Sequence, residues 1–138
     1  MKILFLGDIV GPSGCMVVEK YLKKIVEENK INFVIANGEN AAHNGVGITK
    51  DVLDSLIKFG INVLTTGNHV WDHKETLKLV EDDNRLLRPF NLIGTSPGKG
   101  FEIYQTSKNF KIGILNLMGN VFMRKSEDVF KTAENFQK

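Results

Sequence analysis

The sequence predicts an α/β fold built from parallel βαβ units, and three observations carry that expectation. Short apolar runs recur at Ile3-Leu4-Phe5-Leu6, Phe33-Val34-Ile35-Ala36 and Ile61-Asn62-Val63-Leu64. Between them lie stretches with helical spacing of apolar residues, the alternation expected of parallel strands joined by crossover helices. Each run also ends in a polar turn: Gly7-Asp8, Gly38-Glu39-Asn40 and Gly67-Asn68-His69.

Taken in order, residues 2–7 read as a buried strand, closed by a turn at Gly11-Pro12-Ser13-Gly14. Val18, Leu22, Ile25 and Val26 follow i, i+4, i+7, i+8 spacing and predict the first helix. Residues 32–37 are the second strand, followed by a loop of small residues from Ala41 to Gly47. Thr49 is the expected N-cap of a second helix with Asp51 in its first turn. Ile48, Val52, Leu53, Leu56 and Ile57 form its buried stripe, and Gly60 takes the C′ position. Residues 61–66 give the third strand. Asp72, with Glu75 three residues on, resembles a capping box opening a third helix through Val80, and Glu81-Asp82-Asp83 reads as its solvated end. From Arg88 the pattern changes to a loop marked by Pro89, Pro97, Gly98 and Gly100. Phe101–Tyr104 and Lys111–Asn116 then predict a hairpin around Ser107-Lys108-Asn109, and residues 126–136 a final helix. With no internal repeat and no linker, residues 1–138 are expected to form one domain.

Composition excludes several classes of function. The chain has 138 residues, 42% hydrophobic and 25% charged, the balance of a globular domain long enough to bury a core. A net charge of +2 is too small to argue for DNA or a membrane surface. A single cysteine, Cys15, forbids an internal disulfide and is expected to be a small packing residue at a helix start; it fits a reducing compartment. Asp8 and Gly11 interrupt the apolar N-terminus, so no secretory h-region is expected there, and no apolar run has the length of a membrane span. The expected location is cytoplasmic. Nothing matches G-x-G-x-x-G, a P-loop or a G-x-S-x-G elbow.

The polar turns carry the chemistry. In an open α/β sheet the loops leaving the carboxyl ends of parallel strands gather along one edge, where ligands bind. Asp8, Glu39, Asn40, Asn68 and His69 are therefore expected around one point. Their oxygen and imidazole donors suit hard or borderline divalent metals. A turn immediately after a strand favours Asn, Asp or Gly, so Glu39 is the unusual choice, and its two oxygens can bridge two cations. His69 can act as a ligand, as a proton donor, or as a partner for a phosphoryl oxygen. His43 can reach the same pocket from its loop or lie in solvent. His73 is expected to be solvated on the first turn of the third helix, and Trp71 to be a core or rim residue.

These residues, as Gly7-Asp8-Ile9-Val10-Gly11, Asn37-Gly38-Glu39-Asn40-Ala41-Ala42-His43 and Thr66-Gly67-Asn68-His69-Val70-Trp71-Asp72, resemble the metallophosphoesterases, specifically their YmdB-type branch. Arg88-Pro89 and Thr95-Ser96-Pro97-Gly98-Lys99-Gly100 extend the likeness over essentially the whole chain. The superfamily pattern Asp-x-His appears here as Asp8-Ile9-Val10, and Gly-Asp-x-x-Asp as Gly38-Glu39-Asn40; both departures resemble the YmdB-type branch itself. The resemblance implies the N-terminal half of a layered α/β sandwich, its βαβ units followed by a hairpin. It also implies phosphodiester hydrolysis, with 2′,3′-cyclic nucleotides as a substrate class, at two divalent ions, iron or manganese, that share an activated water. By position, Asp8 and Asn40 would bind the first metal, Glu39 would bridge, Asn68 would bind the second, and His69 would be the catalytic histidine; His43 is a candidate substrate contact.

Family members are about twice as long, and their second half carries three further metal-binding histidines, whereas this chain has none after His73. The chain is therefore expected to be an incomplete domain with an exposed apolar sheet edge and face. The competing expectations are a fragment, a half-protein whose partner or second copy supplies the histidines, or a module that retains only nucleotide or metal binding.

Overall fold

The computed structural model describes residues 1–106, 109–123 and 125–136. The elements run β1 (Ile3–Val10), α1 (Gly11–Asn29), β2 (Phe33–Asn40), α2 (Lys50–Lys58), β3 (Val63–Thr65), α3 (Thr76–Asp82), β4 (Leu86–Leu87), β5 (Phe101–Gln105), β6 (Lys111–Leu115) and α4 (Val129–Phe136). Strands β1 to β4 form one parallel sheet in chain order, and β5–β6 form the expected antiparallel hairpin. The α/β class is as the sequence indicates. The apex anticipated at Ser107-Lys108 lies outside the described residues.

Period-two alternation sorts the parallel sheet into two faces. Leu4, Leu6, Val34, Ala36, Leu64 and Leu86 point toward the helices and join Val18, Leu22, Leu53, Leu56, Leu79 and Val80 in the larger core. On the opposite face Phe33, Val63 and Leu87 pack against Ile112 and Ile114 of the hairpin. The order of layers is helices, parallel sheet, hairpin.

Several expectations change in the structure. β1 is an edge strand with Ile3 44% and Phe5 60% exposed, because the hairpin covers β2, β3 and β4 but not β1. β3 spans three residues, and the two-residue β4 was not anticipated because a run that short has no period to read. α1 starts directly at Gly11, absorbing the expected turn, with Pro12 in its first turn where a missing N–H costs nothing. It closes at Lys30 (φ 55°), whose N–H donates to Glu27 O while Ile31 N–H donates to Val26 O, a Schellman closure. Thr49 does precede α2, but its side chain makes no capping bond; only its carbonyl is used, accepting from Leu53 N–H. Gly60 follows α2 with φ 115°, as its C′ placement requires.

The predicted capping box is absent. α3 begins at Thr76, because the Asp72 carboxylate lies 2.7 Å from His69 Nδ1 and Thr76 Oγ1 donates to Ile48 O instead. α4 starts at Val129, since Ser126 bridges back to Leu92 and Asp128 Oδ1 accepts from Lys131 N–H. His73 is half-buried rather than solvated, with Nε2 2.8 Å from Val46 O. Gly47 (φ 75°) makes room for it: a Cβ there would lie 2.6 Å from the imidazole.

Candidate functional site

A β-bulge aims the first carboxylate. The β1–β2 register shifts on either side of Asp8, so Ile9 enters the helix-side core and Asp8 turns away from it. Asp8 Oδ2 accepts a hydrogen bond from Asn40 Nδ2 at 2.7 Å, joining the ends of β1 and β2. With its amide nitrogen committed to Asp8, Asn40 presents Oδ1 as the atom to meet a cation.

Glu39 lies one residue earlier on β2, where Asn37 Oδ1 accepts its backbone N–H at 3.1 Å. Its carboxylate lies against Gly67: a Cβ at that glycine would be 2.1 Å from Oε2 and 2.9 Å from Oε1. No other residue fits at 67 without displacing Glu39. Oε2 is buried and has no hydrogen-bond partner among the described residues. Burial pushes the carboxyl above its ordinary range; the Asp8 charge adds to this, while the His69 and Asn68 backbone N–H groups and the His69 ring oppose it. Asp8 and His69 thus share one electrostatic neighbourhood with Glu39.

The turn after β3 carries the remaining members. Thr66 anchors it through its N–H and Oγ1, both donating to Leu87 O at 3.0 Å, and Asn116 Nδ2 donates to Thr66 O and Leu87 O at 2.8 and 3.0 Å. Asn68 and Glu39 line one open cleft of about 310 Å³, with Asn37 and Asn116 in its wall. A carboxylate can only accept, so in the 2.7 Å contact to Asp72 it is His69 Nδ1–H that donates, which orients the ring with Nε2 on its other side. His43 is exposed and lines a different groove, between α1 and α2, beside Pro12, Cys15 and Asp51. Cys15 is half-buried against the core, its thiol pushed up by burial, which agrees with a packing role.

Two residues of this region were not singled out in the sequence. Asn116 pins the end of β6 to the Asn68 turn, and Asn91 ties later segments together. The available signal for Asn116 was a lone amide inside the apolar stretch Ile114-Leu115-Asn116-Leu117-Met118; a buried amide there must find partners.

An orphaned buried carboxylate oxygen, a second carboxylate beside it and two amides fit a hard divalent cation as part of its ligand set. The set is short of charge and nitrogen: among the described residues no group of three or more His, Cys, Asp and Glu side chains is placed to hold a metal ion.

Fold and site together define an α/β domain with a donor-rich strand edge, similar to known hydrolases. Residues 4–138 match the model of the YmdB-like protein family, and the chain belongs to that family. It is 40% identical over 134 residues to the 2′,3′-cyclic-nucleotide 2′-phosphodiesterase of Bacillus subtilis (strain 168), covering 97% of this chain and 50% of that protein. It superposes on a crystal structure of a novel phosphatase from Mycoplasma pneumoniae with a TM-score of 0.90 and 31% identity, covering 99% of this chain and 50% of that one. A hypothetical protein from Thermus thermophilus gives a TM-score of 0.89 and 34% identity, covering 99% of this chain and 52% of that one. The chain thus spans about half the length of these relatives. Among the described residues no helix is long and apolar enough to cross a membrane.

Proposed function

We propose that this chain provides part of a metal-dependent phosphodiesterase site acting on small phosphodiesters such as 2′,3′-cyclic nucleotides. The carrying observation is Glu39 Oε2, a buried carboxylate oxygen without a hydrogen-bond partner among the described residues, seated against Gly67 where a Cβ would displace it. Burying such an atom is unfavourable unless a cation or donor meets it. In this reading Asp8, Glu39, Asn40 and Asn68 hold two divalent ions, iron or manganese by family resemblance. When bound, such ions supply an activated water and offset charge on the phosphoryl oxygens.

The chain's own residues do the rest. Glu39 would serve both ions, and the Asn40–Asp8 bond fixes the direction of the Asp8 carboxylate. Asp72 orients the His69 ring so that Nε2 faces the reacting group and gives a proton to the leaving oxygen. Histidines from a companion segment or another subunit complete the ligand set. The test is manganese-dependent hydrolysis of 2′,3′-cyclic AMP. His69→Ala should lower kcat by about 10²–10⁴-fold, the usual worth of a general acid; unchanged activity would remove His69 from the mechanism.

A second reading, metal or nucleotide binding without turnover, is favoured by the lack of a three-member His/Cys/Asp/Glu group among the described residues. Turnover of 2′,3′-cyclic AMP by manganese-loaded, desalted chain separates the two: hydrolysis with about two ions per chain supports the enzyme, and bound ions without hydrolysis support binding alone. Near-zero metal shows that these residues alone are an insufficient ligand set.

A further inference from the structure

A second cleft, of about 170 Å³, adjoins the Glu39 cleft and shares Gly67, Asn68 and Met118 with it. The rest of its wall is mostly apolar, with Val70, Trp71, Leu92 and Ile93, and carries Ser96 and Lys125 as its polar groups. Resting on the phosphodiesterase reading, we propose that this cleft is the subsite for the ring system of the substrate. Trp71 is the stacking surface and Lys125 faces the anionic side of the ligand.

Size, continuity and preorganisation support this assignment. Sites that enclose a drug-sized ligand run to roughly 300–1,000 Å³, so a cleft this small takes one ring system and not a whole nucleotide. The phosphate of the same ligand then falls across Asn68 into the neighbouring cleft with Glu39. Trp71 is half-buried, packed against the main core, while Ile93, which lines the same cleft, is 53% exposed. Bases of any identity stack on such a surface, because every base offers a π face.

The wall is preformed. Buried Asn91, 2% exposed, donates from Nδ2 to Met118 O (2.7 Å) and Glu127 O (2.8 Å) and accepts at Oδ1 from Met118 N–H (2.9 Å). That one side chain fixes the segments carrying Leu92, Met118 and Lys125 relative to each other. Arg88 holds the intervening loop, donating to the carbonyls of Pro89 and Pro97 at 2.8 and 3.1 Å. Preorganisation of this kind leaves less ordering for the ligand to impose.

Trp71 is the chain's only tryptophan, so its emission reads this cleft directly. Adenosine, which has a ring but no phosphate, should quench it saturably without added metal; ribose 5-phosphate and inorganic phosphate should not. Ile93→Lys, at an exposed position that the fold tolerates, should weaken adenosine binding about tenfold or more, and Lys125→Met should weaken AMP while sparing adenosine. Absence of saturable quenching, or adenosine binding by Ile93→Lys equal to the parent, overturns the subsite. Quenching without hydrolysis in a sample that carries about two manganese ions per chain upholds the subsite and removes the phosphodiesterase reading instead. Hydrolysis without quenching does the reverse.

Discussion

The two faces of the parallel sheet are finished to different degrees. On the helix face every strand is covered: Leu4 and Leu6 of β1 pack beside Val34, Ala36, Leu64 and Leu86 under the three helices α1, α2 and α3. On the hairpin face Phe33, Val63 and Leu87 are sealed by Ile112 and Ile114, whereas Ile3 and Phe5, paired in register with Phe33 and Ile35, stand open. The open strand is also an edge of the sheet, opposite β4, and an edge presents unpaired backbone groups. The helix face therefore holds the fold together. The hairpin face, where Asn37, Glu39 and Asn116 line a cleft, carries the proposed site and the uncovered surface.

Four substitutions test that contrast, from the largest effect to the smallest. Leu64→Ala, at a fully buried position on the helix face, should cost about 2–5 kcal/mol in urea unfolding. A loss below about 1 kcal/mol would mean that this face is not the stabilising one. Asn116→Leu leaves Thr66 O and Leu87 O without their side-chain donor and should cost about 1–3 kcal/mol. It should also raise KM for a phosphodiester by loosening the Asn68 turn.

Glu39→Gln should raise the metal-free midpoint at neutral pH. The sign follows from its raised pKa, caused first by burial. The folded state holds the proton more tightly than the unfolded chain does, so the penalty is absent below the unfolded carboxylate value of about 4.3 and full above the folded one. The difference between parent and variant should therefore vanish in acid, and manganese should stabilise the parent more than the variant. A difference that persists at pH 3 would assign the effect to something other than ionisation. Phe5→Thr, on the open part of the hairpin face, should change unfolding by no more than about 0.5 kcal/mol. A larger loss, or a concentration-dependent midpoint in the parent alone, would show that Phe5 is covered by a second copy in solution.

Much of this architecture was legible in the residues. The runs at 3–6 and 33–36, the stripe from Ile48 to Ile57 and the hairpin pattern after Phe101 each correspond to an observed element. The structure does join Asp8 to Asn40 and set Glu39 against Gly67 beside Asn68, at strand ends that fall on one edge of a parallel sheet. Less legible was anything decided by competition between partners. Asp72 and Glu75 have capping-box spacing, yet the Asp72 carboxylate goes to His69, and no local pattern ranks those two outcomes. His73 looked like a surface residue because the gap left by Gly47 comes from a loop distant in sequence.

By itself the sequence determined the class of fold and which polar residues follow its parallel strands, since both follow from periodicity and from turn chemistry within a few residues. Only the tertiary structure decided which strand stands at the edge, where the Glu39 carboxylate rests and what walls the cleft beside Trp71. Each of these depends on groups far apart in the chain: the hairpin over β2–β4, Gly67 against Glu39, and Asn91 between Met118 and Glu127. Local propensity carries no information about such contacts, because their energy appears only when the segments meet.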